Sequence, residues 1–455
     1  MKTSLLVPII LIILLVILAD ASGQMPTYSA VGPNDSASIA KLRHQVQSGD
    51  AAAVNRFWTA VHKSGAPLVE EVPGEKDFSF LTFLWHGNDQ TRNVVIFDGV
   101  AGFEAKDRML PLEGTDVWYK TYRVRNDARF AYNLSPNDSL QSFDEVKGDQ
   151  AMRERLAMLQ VDPLNPHHCP TTFGAYGAES SYVELSDARP LAWNSPLQGV
   201  RRGKVEEKQV QSAFLKAEKK VWVYTPPGFT RGDGRYPLLV LSDGDRNVMW
   251  IPKLLDTLLA QGKIHPMVAV MTDESVPSIR TTELECDVPF EDFLAKELVP
   301  WARENYEATS QPARTIVAGS SLGGLAAVFA GLEHPEVFGK VISLSGSFWW
   351  KPAGNTDAEW LTNLVRKSPK LPLQFYLEVG LMESQSMQID TNRRMRDALI
   401  AKGYPVGYFE YDGGHSFLTW SGGMANGLET LLGPSGAGRE PERGSAGNEN
   451  GARGD

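Results

Sequence analysis

The chain places serines between glycines in Gly319-Ser320-Ser321-Leu322-Gly323, directly after the β-branched stretch Thr315-Ile316-Val317 and directly before an Ala- and Leu-rich run. Where a strand must turn at once into a helix, only small neighbours fit, and the hydroxyl at the turn projects above the sheet. This pattern nominates Ser321 as a nucleophile; a plain small-residue turn is the competing explanation, and Ser320 is the competing serine. The spacing of the glycines favours Ser321. A serine hydroxyl attacks only when a base takes its proton, and imidazole is the common choice. His415 follows the apolar stretch 406–411 and the turn Gly413-Gly414, where the chain order serine, acid, histidine places the base.

Between them, "LEVGLMESQSMQID" offers Glu378, Glu383 and Asp390. Glu378 falls within a strand pattern, whereas Glu383 follows Gly380 in a loop, where a carboxylate can turn toward an imidazole and fix its tautomer. Glu383 is the preferred acid, with Asp390, or no acid at all, left open. A tetrahedral oxyanion needs two donors: the amide after the nucleophile, on Leu322, and one from an earlier strand-end loop. The turn "LSDGDRN" after residues 236–241 is the natural source of the second, with the Asp245 amide as the candidate.

These residues need a scaffold. From residue 205 onward, apolar strand patterns alternate with helical ones, from "KKVWVYTP" to "VGYFEYDGG". Such alternation predicts a mostly parallel sheet covered by helices on both faces, an α/β class domain over 205–432. Apolar spacing at Ile39, Leu42, Val46, Val54, Phe57 and Val61, broken at Ser48-Gly49-Asp50, predicts two helices in a leader spanning 22–74. Residues 75–145 hold β-rich pieces such as "FSFLTFLWHG" and "RNVVIFDGV" between turn signals, a small β-sandwich. A polar helix and a Pro- and Gly-marked linker fill 146–204, and the Gly-rich, charged segment 433–455 lacks apolar residues that could offset its ordering entropy.

The formal charge of −10 over 455 residues argues against a broadly nucleic-acid-binding surface. Lys2, the apolar run 5–18 and Ala19-Asp20-Ala21 read as a cleaved signal peptide over 1–21. That run is shorter than the about 20 residues a spanning helix needs, so no stable membrane insertion is expected after cleavage, and the mature protein is expected to be periplasmic or secreted. An exported compartment would permit the two cysteines, Cys169 and Cys286, to pair. His167-His168-Cys169 has no second cluster at ligand spacing, so no metal and no other cofactor is predicted.

Taken together, the stretches "WVYTPPGF", "LSDGDRNVMW", "AGSSLGGLAAVFAGLEHPEVFG", "LSGSFWW", "YLEVGLMES" and "DGGHSFLTWSGGMANGL" resemble the enterochelin (enterobactin) esterase family, within the wider esterase D-like α/β-hydrolases. In the front half, "FLWHG", "GTDVWYKTYRV" and "DPLNP" resemble that family's immunoglobulin-like N-terminal domain and the segment joining it to the hydrolase, so the likeness covers roughly residues 75–432. It implies a small-molecule ester substrate, a ferric catecholate siderophore among the candidates, with iron entering as part of the substrate. It also implies that Ser321, His415 and Glu383 form the catalytic set, with a Ser–His dyad as the variant, and that Arg280 lies near the substrate. Phe348, Trp349 and Trp350 follow a strand end at the carboxyl edge, where aromatic walls suit catechol rings, although core packing accounts for at least one of them. The export signal departs from the cytoplasmic two-domain members and leaves a feruloyl- or carbohydrate-type esterase as the rival. A non-catalytic siderophore- or carbohydrate-binding protein is the second alternative.

Overall fold

The structure is a computed structural model that describes residues 28–32, 36–102, 107–170, 179–191, 199–232 and 236–434. The expected signal peptide lies outside the described residues, as does the expected tail beyond residue 434. Among the described residues no helix is long and apolar enough to cross a membrane.

The described residues open with β1 (Tyr28–Ala30), α1 (Ala37–Gln47) and α2 (Ala53–Ser64). Ser36 caps α1 by accepting from the Ile39 amide, and Gly65 ends α2 at φ 82°. There follow β2 (Leu68–Val72), β3 (Glu75–His86), β4 (Val94–Phe97), β5 (Leu110–Pro111), β6 (Val117–Arg125), β7 (Arg129–Pro136), α3 (Asp149–Leu156), β8 (His168–Pro170) and β9 (Glu179–Glu184). They form two sheets, one ordered β1-β6-β3-β2 with β5 also on β6, the other β4-β7-β9-β8. Phe83 and Tyr122 from the first sheet share one core with Ile96, Phe130, Tyr132 and Val183 from the second. On the outer face of the first sheet, α1 and α2 bury Ile39, Leu42, Trp58 and Val61 against Leu84, Val117 and Tyr119. The β-rich part therefore begins before residue 75 and ends after residue 145. The stretch read as linker supplies β8 and β9, because the buried serines of β9 are satisfied: Ser181 Oγ accepts from the Asp162 amide at 2.8 Å, and Ser180 Oγ donates to Asn133 at 2.7 Å.

The second part runs β10 (Lys204–Ser212), β11 (Ala217–Thr225), β12 (Leu238–Leu241), α4 (Gly244–Asn247), α5 (Ile251–Ala260), β13 (Val268–Thr272), α6 (Pro277–Leu284), α7 (Val288–Asp292), α8 (Val299–Tyr306), β14 (Thr315–Ser320), α9 (Leu322–Glu333), β15 (Lys340–Leu344), α10 (Trp360–Lys367), β16 (Gln374–Gly380), α11 (Asp390–Ala401), β17 (Val406–Tyr411) and α12 (Phe417–Leu432). Its eight strands are ordered β10-β11-β13-β12-β14-β15-β16-β17. The first two pairings are antiparallel and every pairing from β13–β12 onward is parallel. Because strand side chains alternate between faces, Val240 and Val317 pack with α6 to α11, while Leu239, Leu241, Ile316 and Ala318 pack with α5 and α12. This is an α/β-hydrolase sheet, and the carboxyl ends of β12, β14, β16 and β17 open on one edge of it.

Candidate active site

At the end of β14, Ser320 is buried, and Ser321 adopts φ 58° and ψ −123° before α9 begins at Leu322. That backbone is costly for a residue with a Cβ and holds only because its surroundings over-determine it. The Ser321 amide donates to the Leu344 carbonyl at 2.9 Å, and the Ser321 carbonyl accepts from the Ser347 amide at 3.0 Å. A Cβ on Gly319 would stand 2.3 Å from the Gly323 carbonyl, and one on Gly323 would stand 2.3 Å from Ser242 Oγ. The two glycines thus let the strand, the helix and the loop after β12 meet at one point. The Ser321 side chain is half-buried, with Oγ 3.5 Å from Ser347 Oγ.

Glu383, in the loop after β16, directs its two oxygens differently. Oε1 accepts from the Gly380 amide at 2.9 Å and from Ser345 Oγ at 2.5 Å, while Oε2 lies 2.5 Å from His415 Nδ1. A carboxylate only accepts, so the proton belongs on Nδ1, and Nε2 keeps a lone pair for a neighbouring hydroxyl. The imidazole sits edge-on to Trp420, with centroids 4.6 Å apart, and Trp420 Nε1 donates to Ser345 Oγ at 3.0 Å. Of the other acids considered, Glu378 takes the Tyr376 hydroxyl at 2.6 Å, and burial pushes its carboxyl up to about 7. Asp390 heads α11 and accepts from Gln385 Nε2 at 2.7 Å.

The loop after β12 touches the elbow and is fixed by charge. Asp243 is left-handed at φ 54°, its amide donates to Glu274 Oε2 at 2.6 Å, and its carboxylate takes Arg280 Nε and Nη2 at 2.5 and 2.9 Å. Burial pushes the Asp243 carboxyl up, but the Arg280 guanidinium more than offsets this and holds it below the usual carboxylate range. Burial likewise pushes Glu274 up, to about 7, against the neighbouring Lys219 ammonium. Beyond the engaged Asp243 amide, the Gly244 and Asp245 amides stand in the first turn of α4, and neither has a hydrogen-bond acceptor among the described residues. The Leu322 amide, first in α9, is in the same state.

The esterase family matches residues 212–431, and the enterochelin esterase N-terminal family matches residues 80–194. The iron(III) enterobactin esterase of Escherichia coli O6:H1 is 31% identical over 387 residues, covering 79% of this chain and 89% of its own. The chain belongs to the enterochelin esterase family. The iron(III) enterobactin esterase of Dickeya dadantii is 29% identical over 430 residues, 87% of this chain and 95% of its own. Among solved structures, the enterobactin esterase from Shigella flexneri in the presence of enterobactin superposes with a TM-score of 0.66 at 27% identity, covering 83% of this chain and 97% of that one.

Three residues expected near an enterochelin esterase substrate fall in different settings. Arg280 commits two nitrogens to Asp243, so its first task is to hold the loop after β12. Trp349 is 39% exposed beyond the end of β15. Trp350 instead lines a cavity of about 510 Å³ with Phe329, Trp360, Cys286 and Glu285, and none of Ser321, Glu383 or His415 borders it. Phe348 is core. Cys169 and Cys286 are both free thiols here.

Sequence reasoning passed over Ser345, which joins Glu383 to Trp420 and adopts φ 49°. Its signal was available: a serine directly at the end of β15 in "LSGS", one strand over from the elbow. Gln388 Nε2 donates to the Ser345 carbonyl at 2.7 Å and Asn392 Nδ2 to the Gly346 carbonyl at 2.8 Å, so this loop is pinned from the side of α11 as well.

Proposed function

We propose that the chain is a serine esterase that cleaves the ester bonds of enterobactin-type catecholate siderophores. The observation that carries this reading is the contact of Glu383 Oε2 with His415 Nδ1 at the edge that carries the strained Ser321 elbow. The names of the relatives aligned over most of both chains support the substrate class.

In the reaction, Ser321 Oγ attacks the ester carbonyl while His415 Nε2 takes the hydroxyl proton. Glu383 stabilises the imidazolium through Nδ1–H and remains ionised. The carbonyl oxygen becomes an oxyanion that accepts from the Leu322 amide and from the first turn of α4, where Asp245 is our choice of donor. As the C–O bond breaks, the imidazolium returns the proton to the leaving alkoxide, releasing an alcohol and leaving an acyl-enzyme. Water then attacks under the same base, giving the acid and restoring Ser321. The exposed Trp349 offers an aromatic face to a catechol ring, and the outer edge of the Arg280 guanidinium a positive charge to the catecholate oxygens, whereas Trp350 stands in the separate cavity away from the site.

We further read the chain as exported, on the strength of its apolar first segment, and the two front sheets as an immunoglobulin-like sandwich. Amino-terminal sequencing of the mature protein is expected to start near Ser22. Mass spectrometry of products from enterobactin, its ferric complex and a feruloyl ester tests the substrate. Serine-linked dihydroxybenzoyl fragments are expected from the wild type and none from Ser321→Ala. Full turnover by Ser321→Ala, or release of hydroxycinnamate alone, overturns the proposal.

A further inference from the structure

The loop bearing His415 is gripped by the opposite half of the molecule. Asp98 follows β4, adopts φ 69° and ψ 177°, and is buried. Its carboxyl accepts from the Gly99 amide at 2.7 Å, and the His415 backbone lies near enough to the same carboxyl to favour its charged form. Contact there is close: a Cβ on Gly414 would stand 2.9 Å from Gly99 Cα and 3.0 Å from Asp98 Oδ1. One residue back, a Cβ on Gly413 would stand 2.6 Å from the Arg129 carbonyl, and the Arg129 amide at the start of β7 donates to the Asp412 carbonyl at 2.9 Å. From the other side, Met382, beside Glu383, is buried in the core of the front sheets and donates its amide to the Gly413 carbonyl at 3.0 Å.

We propose that Asp98 is a positioning residue for catalysis: through its carboxyl, the front β-sheets set the height and tilt of the His415 backbone, and hence where Nε2 meets Ser321. A side chain that merely filled an interface would not need a left-handed, non-glycine backbone whose carboxyl faces the loop carrying the base. Burial, reinforced by the charge of Glu383, pushes this carboxyl well up against the Gly99 amide and the His415 backbone, which lower it. A neutral carbonyl oxygen is therefore a close substitute for it.

The proposal rests on His415 acting as base, and the experiment separates the two ideas. Steady-state kinetics on a chromogenic short-chain ester and on enterobactin are measured for the wild type, Ser321→Ala, Asp98→Ala, Asp98→Asn and Gly414→Ala, with thermal unfolding of each. An inactive wild type, or an active Ser321→Ala, overturns the esterase reading itself. With that intact, a loss of about an ångström of alignment costs on the order of 10–100-fold in kcat. Asp98→Ala is expected to show that loss with KM within twofold, and Asp98→Asn, whose carbonyl oxygen can still accept from a backbone amide in the same turn, to recover most of the wild-type kcat. Gly414→Ala drives a methyl into the same contact and is expected to lower kcat by a similar factor; it keeps the question open to test if Asp98→Ala does not fold. Wild-type kcat in Asp98→Ala or Gly414→Ala, or equal losses in Asp98→Ala and Asp98→Asn, overturns the positioning role.

Discussion

Replacing Glu383 by glutamine changes a single atom and is expected to remove nearly all catalysis. Ser345 Oγ already accepts from Trp420 Nε1 at 3.0 Å, so its own proton points at Glu383 Oε1, 2.5 Å away, where the Gly380 amide also donates. Two donors converging on one position force the glutamine oxygen to occupy it. The amide NH2 then faces His415 Nδ1 at the place of Oε2, and two N–H groups cannot share that contact. Nδ1 must become the acceptor, Nε2 takes the ring proton, and the lone pair that Ser321 needs is gone. A wrong tautomer of this kind costs about 10³–10⁴-fold in kcat, ~4–5.5 kcal/mol of barrier. Because two of the three hydrogen bonds at the position survive and the third only reverses direction, thermal stability is expected to change little. Stopped-flow acylation by a chromogenic ester gives the rate, and nitrogen NMR of the ring gives the tautomer. A kcat within tenfold of the wild type, or a ring still protonated on Nδ1, refutes the reasoning.

Three further outcomes follow from the packing. Gly319→Ala sets a methyl 2.3 Å from the backbone of Gly323, with no flexible neighbour to yield; a stability loss of about 3 kcal/mol or outright failure to fold is expected by urea titration, and an unchanged midpoint contradicts the elbow geometry. Arg280→Met leaves the Asp243 carboxylate buried without its partner; since the guanidinium is partly exposed, a loss of about 2–4 kcal/mol is expected, with kcat falling as the loop carrying Asp245 loosens. Glu378 has its carboxyl pushed up from 4.5 to about 7 by burial, so the folded state binds a proton more tightly than the unfolded chain. That contribution is full below about pH 4.5 and lost as pH rises to about 7, so Glu378→Gln is expected to flatten the decline and to gain on the order of 1–3 kcal/mol over the wild type at pH 8 by chemical unfolding.

The hydrolase sheet was legible in the sequence because its central strands are short apolar runs ending in Gly, Ser or Asp, as in Leu238–Leu241, Val268–Thr272 and Thr315–Ser320. The edge strand Lys204–Ser212 was not, since it exposes most of its charged side chains and offers little apolar signal. The short strands Tyr28–Ala30 and His168–Pro170 depend on pairing with distant partners, Val124 to Tyr122 and Ser181 to Glu179, which no local pattern encodes. Ser321, Glu383 and His415 stood out through turn chemistry, and the structure sets Glu383 on His415. Asp98 and Ser345 did not stand out. Each reads as an ordinary turn residue, and its importance comes from a contact made with a segment far along the chain.

The grip on the imidazole loop divides the front half into parts with unequal freedom to diverge. Helices α1 and α2 lie on the far side of the first sheet, against Leu84, Val117 and Tyr119, so changes in them are expected to cost stability rather than alignment of the base. Under the positioning role proposed for Asp98, the three residues Phe97-Asp98-Gly99 have no such latitude. One inserted residue there would shift the floor beneath the proton acceptor, and lineages that keep the reaction are expected to keep that turn's length before they keep any of its neighbours.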